Sequence, residues 1–151
     1  MMLALRVRRE QRAQAALQRG LAEHAVAAEQ AEQMNRAVSL QTGARLARER
    51  QIYQGMCGGS FSAREIARVD AELRKLDRDA TGLAAQLAAN LRTAEKAYSK
   101  VEALRRRFGG LHRARRKWDE LSLLADGRRI ARQALLEELS LSDDGIVRPR
   151  S

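Results

Sequence analysis

Any chemistry this chain performs must rest on arginine. Lysine occurs only at 75, 96, 100 and 117, so nearly all of the 29 basic side chains carry guanidinium groups. Two runs stand far apart in sequence: Arg6, Arg8, Arg9 and Arg12 near the start, then Arg105, Arg106, Arg107, Arg113, Arg115, Arg116 and Lys117. A guanidinium presents paired donors to carboxylates and phosphates alike, so the runs point to an acidic partner without naming it. The formal net charge of +10 implies the same three classes: nucleic acid, a lipid surface or an acidic protein groove.

Residues suited to catalysis are scattered. His24 and His112 are isolated from any cysteine partner and no metal-ligand spacing occurs, so neither a metal nor another cofactor is expected. Cys57 is the single cysteine, which excludes an internal disulfide and fits a reducing compartment. Beside Gly58 it reads either as an exposed thiol or as a small residue tolerated in a turn. Gly58-Gly59 lacks the surrounding pattern of a phosphate-binding loop. Glu65, Asp70 and Glu72 fall on an exposed helix and not in a cleft. The expectation is a chain that is not an enzyme.

The elements that must carry the arginines are helical. From Ile66 to Leu111 an apolar residue recurs at alternating spacings of three and four: Ile66, Val69, Leu73, Leu76, Ala80, Leu83, Leu87, then Asn90, Ala94, Ala97, Val101, Leu104, Phe108, Leu111. A period of 3.5 held over this span is the coiled-coil condition, and Asn90 on the seam reads as a register-fixing polar residue. Aromatics make up 3% of residues, too little bulk for a wide core. Pro149 is the only proline, so nothing before it forbids long helices.

The fold class predicted is all-α, a long antiparallel two-helix coiled-coil hairpin whose second helix is the longer. Helix one is expected over about 2–54, on a weaker stripe of Leu3, Val7, Ala13, Leu17, Leu21, Ala28, Ala31, Val38 and Ile52. A turn over 55–61 follows, where Gly55, Gly58 and Gly59 permit reversal. Ser62 and Glu65 then form an S-x-x-E capping box, with Phe61 and Ile66 at the positions of a hydrophobic staple. Helix two is expected over about 62–141 and a disordered tail over 142–151. Gly109-Gly110 should bend helix two, and a break with a third helix folding back is the alternative. The whole chain, 1–151, reads as one hairpin of roughly 80 and 120 Å helices, with no interior for an active site.

A bend centred near 58 places residue 6 across from about 110 and residue 12 across from about 104, bringing both arginine runs to the free ends. Taken singly, each arginine reads as part of a solvated helix face; their convergence points to binding. Beyond them Trp118, Leu121, Leu124, Ile130, Ala131, Leu135 and Leu139 recur at helical spacing with no helix one left to cover them. Self-association, a fold-back and docking of another protein all fit. Met1–Leu5 is too short for a signal-peptide apolar region and no apolar run approaches the roughly 20 residues of a membrane span. A cytoplasmic, soluble chain without a transmembrane segment is expected.

Three stretches carry a family resemblance. Leu5-Arg6-Val7-Arg8-Arg9-Glu10-Gln11-Arg12-Ala13-Gln14-Ala15-Ala16-Leu17 is a basic, alanine-rich opening. Arg50-Gln51-Ile52-Tyr53 through Phe61-Ser62-Ala63-Arg64-Glu65-Ile66 pairs a tyrosine-bearing helix end with a glycine turn and capped restart. Lys100-Val101-Glu102-Ala103-Leu104 and Lys117-Trp118-Asp119-Glu120-Leu121 form a charged final helix. Together they resemble the YscO/FliJ group of type III secretion and flagellar export stalk proteins, over nearly the whole chain. Gly109-Gly110 and the long final helix depart from the simplest form of that pattern.

The resemblance implies a monomeric stalk at the base of a membrane-embedded secretion apparatus. It would bridge a hexameric secretion ATPase and the cytoplasmic ring of the export gate and, in some members, bind export chaperones. It assigns Arg6, Arg8, Arg9, Arg12, Arg113, Arg115, Arg116 and Trp118 to the ATPase end. Ile52, Tyr53, Met56 and Phe61 go to the gate end. The rival readings are a basic coiled coil that binds nucleic acid and a scaffold that dimerises through its seams. Sparse aromatic interleaving and the lack of a base-reading motif disfavour specific nucleic-acid recognition.

Overall fold

The computed structural model describes residues Met2–Asp144. Two helices make up the architecture, α1 over Met2–Met56 and α2 over Ala63–Asp144, of 55 and 82 residues. The described chain is an all-α antiparallel hairpin with the longer helix second. α2 also runs past its expected end at 141, taking in residues 142–144. The hydroxyl of Ser142 donates to the Leu139 carbonyl at 2.9 Å, so this serine bonds back into the helix instead of ending it. The rest of the expected disordered tail, 145–151, lies outside the described residues.

The reversal is tighter than expected. Gly55 and Met56 belong to α1, and the Cys57 N–H donates to the Gln54 carbonyl at 3.3 Å to close its last turn. Gly58, at φ 90°, is the one described residue that needs a left-handed backbone, which is what glycine permits without steric cost. The capping box then forms in both directions. The Ser62 N–H donates to Glu65 Oε2 at 3.1 Å, and the Glu65 N–H donates to Ser62 Oγ at 3.2 Å. Farther on, α2 passes through Gly109 and Gly110 without interruption, and among the described residues no third helix folds back.

Contacts divide the chain into two units, one of Ala15–Arg105 and one joining residues up to Gln14 with those from Arg106 on. In Ala15–Arg105 the arms flanking the turn pack through a narrow seam. From Val69 to Leu104 the heptad residues of α2 are half-buried, and Val101 is only 2% exposed; Ile66 alone stays in solvent. The α1 side mixes small and polar residues with half-buried Leu17, Leu21 and Val38. Ala27, Ala31 and Ile52 are buried, while His24, Met34, Gln41 and Arg45 are half-buried between them. Ala27, not the expected Ala28, faces the seam.

Gly20 marks close approach, since a Cβ added there would stand 2.8 Å from Leu104 Cδ1. Burying alanine in place of leucine forgoes about 0.8 kcal/mol per missing methylene, so this seam is weakly driven by apolar burial. Ion pairs help fix the register: Arg48 Nε donates to Glu72 Oε1 at 2.6 Å, Lys100 Nζ to Glu23 Oε2 at 3.0 Å, and Arg45 pairs with Asp77. The hydrogen bond from Arg48 holds the Glu72 carboxyl below its ordinary value.

Candidate functional site

In the unit joining the start of α1 to α2 from Arg106 on, the arginines do converge, but in a different register. The Arg6 guanidinium lies over the Trp118 ring, its Cζ 3.9 Å from the centroid, in a cation–π contact. Residue 6 therefore meets 118 and not 110, and Trp118 belongs to the paired region and not to the uncovered overhang. The turn consumes residues through Ser62, so each position of α1 meets a later residue of α2 than a bend centred near 58 implies.

Between the two arms sits a carboxylate that the sequence reading passed over. Glu10 is 8% exposed and is the sole acidic residue among 2–14 and 106–118. Its Oε1 lies 2.8 Å from His112 Nδ1, and its Oε2 lies 2.8 Å from Arg115 Nε. The second contact is an ion pair by distance, yet its N–H is misaligned for a hydrogen bond. His112 in turn stacks on Phe108 with ring centroids 5.8 Å apart. Glu10 and the neighbouring buried Ala13 thus tie the first turns of α1 to α2. The available clue was compositional: a lone carboxylate in so basic a stretch has cations on every side.

The remaining cations face outward. Arg8, Arg9, Arg12, Arg113, Arg116 and Lys117 are exposed, whereas Arg6 and Arg115 are half-buried against Trp118 and Glu10. Arg6, Arg9, Leu111, Ala114, Arg115 and Trp118 line a shallow open groove. Of the second arginine run, Arg105 falls in the other unit and pairs with Glu102 at 3.1 Å. The arrangement can hold an acidic surface through several guanidinium forks.

At the turn, the residues assigned to a second contact divide. Ile52, 7% exposed, is buried, and Met56 and Phe61 are half-buried with Val69 along a groove across the two helices. Tyr53 points to solvent. Three of the four thus pack the turn itself, and the exposed phenol is what a partner would meet first. Cys57 is a free, exposed thiol.

Past Trp118, α2 continues alone, and every residue from 120 to 142 is exposed. Among the described residues no three His, Cys, Asp or Glu side chains gather as a metal site. None of the described helices is long and apolar enough to cross a membrane. Compared with protein-family models, with curated proteins and with solved structures, the chain finds no match.

Proposed function

We propose that this chain is the central stalk of a type III secretion system, bridging a hexameric secretion ATPase and the cytoplasmic ring of the export gate. The carrying observation is the partition of charge where α1 begins. One carboxylate, Glu10, is turned inward as a clamp, while Arg8, Arg9, Arg12, Arg113 and Arg116 stand outward from both helices. Such a surface suits acidic side chains around a ring. The ATPase performs hydrolysis, and the stalk shifts its conformational equilibrium through differential affinity for its states. At the turn, Tyr53 is the first contact with the gate, on a platform of Ile52, Met56 and Phe61. The location that follows is the cytoplasmic base of the apparatus, where export chaperones are further candidate partners.

The test is hydrolysis by the cognate secretion ATPase with and without this protein. Arg8→Glu with Arg9→Glu should reduce stimulation at least tenfold, while Arg74→Glu, on an exposed mid-helix face, should leave it unchanged. Equal losses would remove the end-specific mechanism.

A further inference from the structure

The uncovered part of α2 carries its own recognition pattern, independent of the stalk reading. Leu121, Leu124, Arg128, Arg132, Leu135 and Leu139 follow one another at spacings of three or four, a single stripe along five turns of helix. All six are exposed. Two leucines at each end therefore bracket two guanidinium groups at the centre.

Neither central arginine has a carboxylate three or four residues away, since those positions hold Leu124, Ala125, Arg129, Ala131, Leu135 and Leu136. The neighbouring Arg129, by contrast, pairs with Asp126 at 3.5 Å. Arg128 and Arg132 thus stand unpaired among the described residues, inside an apolar stripe.

That placement selects the occupant. A second copy laid antiparallel would match leucine with leucine only by setting Arg128 against Arg132; laid parallel, it would set each arginine against itself. Like charges brought together in a desolvated contact are strongly unfavourable. A lipid surface suits basic residues flanking an apolar face, where they reach the headgroups. Here the arginines occupy the middle of the face, and burying the leucines in acyl chains would drag them in. A partner helix with two carboxylates flanked by leucines satisfies both features at once.

We propose that residues 121–139 of α2 form a docking surface for an acidic amphipathic helix of another protein, whose paired carboxylates engage Arg128 and Arg132 between two leucine contacts. Trp118 stands at the near end of this surface, 48% exposed, and reports occupancy by its fluorescence.

The experiment uses the full chain and a designed 21-residue helical peptide carrying leucines at the stripe's spacing around two central glutamates. A control peptide has lysines in their place. Titration by fluorescence anisotropy should show at least tenfold tighter binding of the glutamate peptide. Arg128→Glu with Arg132→Glu should reverse the order, a charge swap that a merely unfolded variant cannot produce. Circular dichroism of that variant fixes its helix content. Equal affinity for the two peptides, binding to neither, or release of the glutamate peptide by anionic vesicles would overturn the proposal. So would a stable dimer of the free chain whose extension is protected from exchange.

Discussion

Glu10 is the residue on which the paired start of α1 depends. It is buried against His112 and Arg115, which are themselves only partly covered, at 40% and 33% side-chain exposure. Removing the Glu10 carboxylate leaves Arg115 among other arginines without compensation, but solvent screens part of the loss. Glu10→Ala should therefore cost about 1–2 kcal/mol, below the 3–5 of a fully buried pair. The loss should be local. Amide exchange should quicken in residues 2–14 while protection in Ala15–Arg105 stays unchanged. A uniform rise in exchange would show that Glu10 supports the whole hairpin. Sequence reading overlooked this residue because it sought patterns of like residues, whereas Glu10 matters as an exception within one.

At the scale of the element, the two helices differed in legibility for a physical reason. On α2 the seam is written in leucine, valine and alanine, so its 3.5-residue period stands out, and every heptad position from Val69 to Leu111 is at least half-buried. On α1 the matching positions include Gly20, His24, Gln41 and Arg45, which no hydrophobic count detects, and the stripe was misaligned to Ala28. The cap at Ser62 was readable because its two hydrogen bonds involve residues three apart. Register across the hairpin was not, because it depends on how many residues the turn consumes. Gly109-Gly110 shows the limit of local propensity: two poor helix formers lie within a helix that continues unbroken through them. A Cβ at Gly109 would meet only Arg113 Nη1, at 3.8 Å, and one at Gly110 would meet nothing within 4 Å. Alanine at both positions should accordingly stabilise the helix by about 1 kcal/mol each, read as slower exchange across residues 106–118. Faster exchange there would mean that the pair serves a local deformation this helix requires.

For the molecule as a whole, net charge and association state decide between the stalk and its rivals. A charge of +10 attracts any polyanion, so some binding to DNA at low salt is expected and is uninformative. Contacts that only neutralise phosphates release counterions, and their affinity falls by several orders of magnitude between about 50 and 200 mM salt. Few aromatics accompany the arginines: Arg6 lies over one side of the Trp118 ring, and Tyr98 is tilted against His24 at 5.7 Å. DNA affinity should therefore collapse across that salt range, and tight binding that survives it would favour a nucleic-acid function. Self-association is opposed by the same charges. Each seam is already occupied by the other helix, and the exposed leucines of the extension carry arginines at the centre of their stripe. Sedimentation at micromolar concentration should return one species near the chain mass of 16.9 kDa. A stable dimer would remove both the stalk reading and the exclusion of a second copy from the α2 extension, because the like-charge argument would have failed in the one pairing it was used to forbid.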